Sequence, residues 1–304
     1  MINMAKKVLI CNPVADEAVD MLEDAGFEVD QEFGMSKEEL TEKVPPYHGM
    51  VVRSSTKVRE PTIDAAENLK VIGRPGIGLD NIDLEYAKDK GIAVYNTPTA
   101  TTISVAELAM THILASYRDI VAGTNSLGEG DWIKSELASN EIYGKKLGVI
   151  GYGNIGQAVA ERAHALGMEI VAFDVRDLED TDPAEMVDME TLLKESDVIT
   201  IHVPHTDATH HLISEDEFEM MKENAVLVDC SRGGVVDEDA LYDALKGEKI
   251  RFGSKDVFEE EPPGENKLFE LDNFHATPHI GAQTEEGQIR AGTQAAEKII
   301  DELK

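Results

Sequence analysis

Basic residues are scarce in this chain: 28 lysines and arginines stand against 60 aspartates and glutamates, a formal charge of −32 over 304 residues. Nucleic acids and anionic membranes are themselves polyanions, so long-range repulsion argues against either as a partner. An acidic excess beyond what solubility needs points to a salt-rich cytoplasm, where counterions screen the self-repulsion of a compact anion. Cysteine is nearly absent. Cys11 and Cys230 sit inside the apolar runs VLICNP and VLVDCS, which suits buried thiols in a reducing compartment and excludes a disulfide framework. No apolar run approaches the roughly 18 residues of a membrane span. The N-terminal MINMAKKVLICNP is interrupted too early, by Asn12-Pro13, to act as a secretion signal. A soluble cytoplasmic protein is expected. Without a CxxC or HExxH pattern, no catalytic metal is expected either. The single tryptophan, Trp132, lies in the loop Asp131-Trp132-Ile133-Lys134 and reads as an interface or packing anchor.

What the chain does have is a strand, a tight glycine turn, a helix and a second strand between Lys145 and Asp174, KKLGVIGYGNIGQAVAERAHALGMEIVAFD. Leu147, Val149 and Ile150 form an apolar strand that runs into Gly151-Tyr152-Gly153-Asn154-Ile155-Gly156. The apolar spacing then becomes helical, with Ala158, Val159, Ala163 and Leu166 on one face, and Gly167 closes the helix. Gly151 permits the sharp turn, Gly153 lets a pyrophosphate approach backbone N–H groups at the positive end of the helix, and Gly156 lets helix and strand pack closely. The strand Ile170 to Phe173 delivers Asp174 eighteen positions past Gly156, close to the spacing of about 20 expected for an acid that accepts hydrogen bonds from ribose hydroxyls. Its charge would repel a 2′-phosphate, so NAD is expected over NADP. Arg176, two residues on, would soften that preference.

Around this unit the chain alternates strands and helices, enough for two domains. Up to residue 97 the strands VLIC, FEVD, MVVR, KVIG and IAVYN are separated by helices, one from Ser36 with Glu39 in a capping box, one from Pro61 to Asn68, and one from Leu84 to Asp89. After Asn96-Thr97-Pro98 a long helix is expected from Ser104, capped by Ser104 and Glu107, through VAELAMTHILASYRDIVAG. Beyond Asp174 come an acidic loop from Glu179 to Glu185, the strands VITIHVP, AVLVDC, FGSKDVF and HATPHIG with helices between them, and a last helix from Thr284 to Leu303. The fold class is α/β, with two doubly wound parallel-sheet domains.

Three strand-end segments carry charged residues that packing does not explain: Asp229-Cys230-Ser231-Arg232-Gly233-Gly234, Asp256 through Pro263, and Thr277-Pro278-His279-Ile280-Gly281. A hydride-transferring enzyme needs a cation for a carboxylate and carbonyl, an acid/base near neutral pH, and a partner to orient that base. Arg232, His279 and Glu261 supply one of each.

On the stretches VVRSSTKV, VIGRPGIGLDNID, SVAELAM, GVIGYGNIGQAVA, VITIHVP, DCSRGGVVDEDAL, DVFEEEPP and TPHIGA, which span almost the whole chain, the sequence resembles the D-isomer-specific 2-hydroxyacid dehydrogenases. The resemblance implies a Rossmann NAD-binding domain over residues 98–281, inserted in a flavodoxin-like substrate domain of residues 1–97 and 282–304, with homodimers joined through the cofactor domain. It implies that Arg232 binds substrate, Glu261 supports the histidine and His279 is the acid/base. NAD would lie on Gly151, Gly153, Asn154, Ile155, Gly156, Asp174, Val203, Pro204, Cys230, Asp256 and Gly281, and substrate would face Arg53, Arg74, Gly76 and Ile77. The implied activity is oxidation of a D-2-hydroxy acid, 3-phospho-D-glycerate to 3-phosphohydroxypyruvate, which opens serine synthesis. Lys57 and Lys134 join Arg53 and Arg74 as cations for a phosphate. Reduction of glyoxylate or hydroxypyruvate is the alternative, and NADH sensing without turnover a third. Because the sequence stops at Lys304, feedback by serine through a further C-terminal domain is not expected.

Lys255 departs from the family pattern and is expected to put a cation beside Asp256; Pro75, Thr101, His205 and Gln283 are further departures. The remaining histidines have plain readings, with His210 and His211 in a solvated turn, His112 and His164 as packing or surface residues of helices, and His202 in the core of a strand.

Overall fold

The computed structural model describes residues 5–137 and 139–304; residues 1–4, where the N-terminal stretch weighed as a leader begins, and Ala138 lie outside the described residues. The chain divides into two compact units, Met1–Thr102 with Ala282–Lys304, and Ile103–Gly281.

The first unit alternates β1 (Lys7–Ile10), α1 (Asp16–Asp24), β2 (Glu28–Gln31), α2 (Lys37–Lys43), β3 (Gly49–Val51), α3 (Glu60–Ala65), β4 (Val71–Arg74), α4 (Leu84–Asp89) and β5 (Ala93–Asn96). All its pairings are parallel, in the order β2-β1-β3-β4-β5, the doubly wound flavodoxin-like order. Helices cover both faces, which is why Val8, Leu9, Ile10, Val71 and Ile72 form short, continuously apolar strands and are all buried. Ser36 is the cap of α2 and not its first residue: its Oγ accepts from Glu39 N at 3.2 Å while Glu39 accepts from Ser36 N at 2.7 Å. α3 holds Pro61 in its first turn but stops at Ala65, three residues short of Asn68.

The second unit contains α5 (Thr102–Arg118), α6 (Ile120–Glu129), β6 (Lys146–Ile150), α7 (Asn154–Ala165), β7 (Glu169–Phe173), β8 (Ala184–Met186), α8 (Met189–Glu195), β9 (Val198–Ile201), α9 (Glu215–Met220), β10 (Val226–Asp229), α10 (Glu238–Lys246), β11 (Phe252–Lys255) and β12 (Phe274–Ala276). Its parallel sheet runs β12-β11-β10-β9-β6-β7-β8, a Rossmann order whose direction reverses between β6 and β9. The chain then returns to the first unit as α11 (Glu285–Leu303), where Ile299 and Leu303 lie against Gly49.

Four local expectations are corrected. α5 begins at Thr102, so Ser104 lies inside its first turn and is not its N-cap. The long helix breaks at Asp119, whose φ of 50° is left-handed, a conformation that short polar side chains tolerate. Leu166 caps α7 and is 47 % exposed instead of facing the core. The acidic loop after Asp174 ends in the sheet-edge strand β8, too short to show a period. Trp132 is 78 % exposed, so it packs against nothing substantial in this chain. Among the described residues, no helix is long and apolar enough to cross a membrane.

Inside the second unit His112 of α5 and His275 of β12 stack with ring centroids 5.2 Å apart, both buried. Burial pulls each down to about 4, with the neighbouring His275 adding to the effect on His112. A folded-state value below the unfolded value of about 6.5 means stability that is complete above pH 6.5 and is lost as pH falls toward 4. Replacing both rings, His112→Leu with His275→Leu, removes this term while leaving the much larger surface charge in place. With about 2 kcal/mol from each ring, the unfolding free energy of the wild type should therefore fall by about 4 kcal/mol more than that of the double variant between pH 7 and pH 5 in urea titrations. Parallel pH dependences would contradict it.

Candidate active site

Every candidate cofactor-binding and catalytic residue of the second unit lies beyond the carboxyl end of a parallel strand, because a Rossmann sheet directs all its strand-to-helix loops to one edge. After β6, Gly151 has a φ of 90°, and a Cβ there would meet His202 O at 2.6 Å; a Cβ on Gly156 would meet Gly151 O at 2.2 Å. These two glycines are required by the protein itself. Gly153 is different: a Cβ there would meet no protein atom within 4 Å, so the missing side chain leaves open space in front of Asn154 and Ile155 at the N-terminus of α7. Such a space, bounded by backbone N–H groups at the positive helix end, suits a pyrophosphate.

Asp174 follows β7. Its carboxylate accepts from Tyr152 N at 2.9 Å and Arg176 N at 3.0 Å, and from Arg176 Nε and Nη2 at 2.8 Å each. The Arg176 guanidinium pulls the group down to about 2, against the opposing effect of partial burial and with help from the two backbone N–H groups. Four donors fill a carboxylate's four lone-pair directions. A ribose can hydrogen-bond Asp174 only by displacing the Arg176 side chain, which is 59 % exposed.

After β10, β11 and β12 come the three charged loops. His279 Nδ1 lies 2.7 Å from Glu261 Oε2, and Glu261 Oε1 accepts from Phe258 N at 3.2 Å. Burial alone would push the Glu261 carboxyl up, but the hydrogen bond and charge of His279, the Phe258 N–H and the Arg232 guanidinium outweigh it and hold it below the usual range. Glu261 is therefore an ionised acceptor, and the proton on Nδ1 must belong to His279. Neutral His279 consequently presents an unprotonated Nε2. Its backbone is left-handed, with φ 52°, and is held by His279 N donating to Asp256 O at 2.8 Å. Arg232 Nη1 donates to Ser231 O at 2.7 Å, and a Cβ on Gly233 would lie 1.8 Å from Phe258 O, so the loops after β10 and β11 touch.

Asp256 is buried, and its carboxylate accepts from Thr277 Oγ1 at 2.5 Å, Ile280 N at 2.8 Å and Gly281 N at 2.8 Å. It shapes the turn that carries His279. Thr277 in turn meets His112 Nε2 at 3.0 Å, and His112 Nδ1 meets Ser254 Oγ at 2.5 Å. The sequence places Thr277 in a strand-end segment and His112 among packing or surface residues, but shows neither of these contacts. The Cys230 thiol is pushed well up by burial and by the nearby Asp256 and Asp229 carboxylates, so it is no nucleophile. Val203 and Pro204 follow β9, half-buried and exposed respectively, and open to a neighbouring group.

In the first unit Arg53 follows β3 and Arg74 is the last residue of the adjacent strand β4. Arg53 N donates to Asn12 Oδ1 at 2.6 Å, and Asn81 Nδ2 donates to Arg53 O and Thr56 O at 3.1 and 2.7 Å. Gly76 N donates to Thr97 Oγ1 at 2.7 Å, and Asn96 Nδ2 donates to Ile77 O at 2.6 Å. Asn12, Asn81 and Thr97 were not singled out from the sequence, yet they fix these loops. Gly76 has φ 136°, and a Cβ there would collide with the Arg74 guanidinium, so this glycine lets Arg74 fold over the loop. Lys57 and Lys134 are exposed and belong to different units.

Lys255 does not face Asp256. Strand alternation sends it to the opposite face of β11, where it is fully buried, with Nζ 3.1 Å from Glu238 Oε1 and 3.9 Å from Asp229 Oδ2. Pro75 and Thr101 are buried, Gln283 exposed, and His205 Nε2 contacts His210 Nδ1 at 3.2 Å. His211, Asp237 and Glu259 are the one group of metal-ligand types that clusters among the described residues. The imidazole meets Asp237 through Nδ1 and Glu259 through Nε2, at 3.3 and 3.2 Å. One ion could not replace contacts on opposite ring nitrogens.

Residues 110–281 match the model of the D-isomer specific 2-hydroxyacid dehydrogenase NAD binding domain. The chain is 50 % identical over 302 residues to a D-3-phosphoglycerate dehydrogenase of Methanocaldococcus jannaschii, covering 98 % of this chain and 57 % of that protein. It is 48 % identical to a hydroxypyruvate reductase of Thermotoga maritima over 98 % of both. An NAD+-bound 3-phosphoglycerate dehydrogenase structure from Entamoeba histolytica superposes with a TM-score of 0.81 at 30 % identity, over 98 % of this chain and 95 % of that one. The chain thus spans little more than half the length of the curated archaeal phosphoglycerate dehydrogenase and nearly all of the reductase.

Asp174→Ala should weaken NADH binding about 10- to 100-fold in fluorescence titrations, since hydrogen bonds to a charged acceptor are lost, and should narrow the preference over NADPH. NADH affinity left unchanged would remove Asp174 from the cofactor site.

Proposed function

The chain belongs to the D-isomer-specific 2-hydroxyacid dehydrogenase family, and on that premise we propose that it oxidises a D-2-hydroxy acid with NAD, foremost 3-phospho-D-glycerate to 3-phosphohydroxypyruvate. The observation that carries the reading is the Glu261–His279 hydrogen bond, with Arg232 near enough to act on Glu261. The residues at the carboxyl ends of β6 and β7 fit NAD: open space at Gly153, the N-terminus of α7, and a carboxylate at Asp174. Bound there, NAD supplies the hydride acceptor. His279 Nε2 takes the hydroxyl proton during oxidation and returns it during reduction, and Glu261 keeps the ring in the tautomer this requires. Arg232 holds the substrate carboxylate and polarises the oxygen at C2, a planar fork matched to two oxygens.

Phosphate sets the substrate choice. Arg53 and Lys57, after β3, and Arg74, at the end of the neighbouring β4, would offer cations to a phosphorylated acid. The second reading, reduction of glyoxylate or hydroxypyruvate, draws on the Thermotoga relative, which matches this chain over nearly its whole length. A homodimer through the cofactor unit is supported by Leu114, Ile120, Val121, Leu127, Trp132 and Tyr143, all exposed apolar residues of that unit. A monomer mass in light scattering would remove that part. Two buried free thiols support a reducing cytoplasm as the compartment, and the charge of −32 supports a salt-rich one.

A panel of 2-hydroxy and 2-keto acids with NAD(H) tests the substrate: 3-phosphoglycerate should lead by kcat/KM, and an unphosphorylated acid in first place would reverse the choice. NADH binding with no turnover across the panel would favour a cofactor sensor. Arg232→Ala should lose more than about 3 kcal/mol of transition-state stabilisation, and near-wild-type kcat/KM in that variant would sink its role.

A further inference from the structure

We propose that Lys255 is a positioning residue, and that with Glu238 it forms a buried ionic hub that sets the positions of both Arg232 and Glu261. The inference rests on the dehydrogenase reading above. Lys255 is 0 % exposed at the end of β11, with Phe258 beneath its ammonium and the carboxylates of Glu238 and Asp229 beside it.

Each carboxylate leads to a different catalytic loop. Asp229 Oδ1 accepts from Ser231 N at 3.0 Å and Ser231 Oγ at 2.6 Å, and Ser231 O accepts from Arg232 Nη1. Asp229 Oδ2 is buried without a hydrogen-bond partner, so Lys255 is the charge that balances it. Burial pushes the Asp229 carboxyl up, and Lys255 is the foremost opposing influence. On the other side, Glu238 Oε1 accepts from Glu259 N at 3.0 Å, Glu238 Oε2 accepts from Asn266 Nδ2 at 2.7 Å, and Glu238 N donates to Glu259 Oε1 at 3.2 Å. These bonds clamp the loop that carries Glu261 at both ends. One ammonium therefore ties the turn presenting the substrate-binding cation to the loop presenting the histidine's partner.

A buried ion pair is seldom a net source of stability compared with apolar residues of the same volume, and its best-attested use is to fix one geometry. The two loops already touch at Gly233 and Phe258. Misplacement by a fraction of an ångström at the hub would reach the reacting atoms directly.

The test is Lys255→Met in the full chain, with steady-state kinetics on the preferred acid and NADH affinity by fluorescence. The expected result is kcat/KM for the acid lowered at least tenfold with the NADH dissociation constant changed several-fold less, because the glycine turn and Asp174 stand at the ends of β6 and β7, away from the hub, and only Cys230 and Asp256 of the cofactor residues adjoin it. Adding Asp229→Asn, which keeps the acceptor for Ser231 and removes the unbalanced charge, should restore more than half of that loss on a logarithmic scale. Kinetics within threefold of wild type, an equal fall in NADH affinity, or no restoration would each overturn the proposal. Should Lys255→Met fail to fold, Glu238→Gln keeps the shape and should show the same split; wild-type kinetics in Glu238→Gln would overturn it equally. A wild-type protein that turns over no acid would instead overturn the dehydrogenase reading, so the two failures are distinct.

Discussion

The hydrogen bond from His279 to Glu261 forms because parallel strands of one sheet end side by side. β11 and β12 are paired in register, so residues that leave their carboxyl ends emerge a strand spacing apart, within reach of each other's side chains. The contact determines more than a distance. An ionised Glu261 fixes the proton on Nδ1 and leaves Nε2 as the base, and Asp256 holds the left-handed turn that aims the ring. Arg232, from the neighbouring β10, adds its charge to the same group.

Most of the chain's 60 acidic side chains face solvent, and the few buried charges concentrate beneath the catalytic loops. Asp229, Lys255 and Asp256 are each almost completely excluded from water, and each is within one or two contacts of Arg232, Glu261 or His279. Charge on the surface serves solubility and is screened by salt. Charge in the interior is strongly coupled to geometry, because little solvent is present to soften it.

The fold class could be read from the sequence because a switch from strand to helix period is local, and VLIC or GVIGYGNIG declares it within a few residues. Where the signal was local but misleading, the reading failed: Ser104 has the look of a cap yet lies inside α5, and Asp119 breaks a helix with no glycine or proline to announce it. β8 contributes three residues at a sheet edge, too few to show alternation. At the site, the reactive residue types were visible but their contacts were long-range. Neutral side chains that hold loops, such as Asn12, Asn81 and Thr97, follow no spacing rule, and the contacts they make were invisible. Lys255 was noticed as a departure and given the wrong neighbour, although the two-residue period of a strand puts it on the face opposite Asp256.

That Glu261 acts through His279, and not independently of it, is open to a double-mutant cycle. Glu261→Gln, His279→Ala and the pair are compared by kcat/KM on the preferred acid. If Glu261 works only by orienting and balancing the imidazole, His279→Ala should lower the rate about 10²- to 10⁴-fold, Glu261→Gln should lower it less, and the double variant should match His279→Ala within about threefold. A double variant whose loss is the product of the two single losses would contradict it.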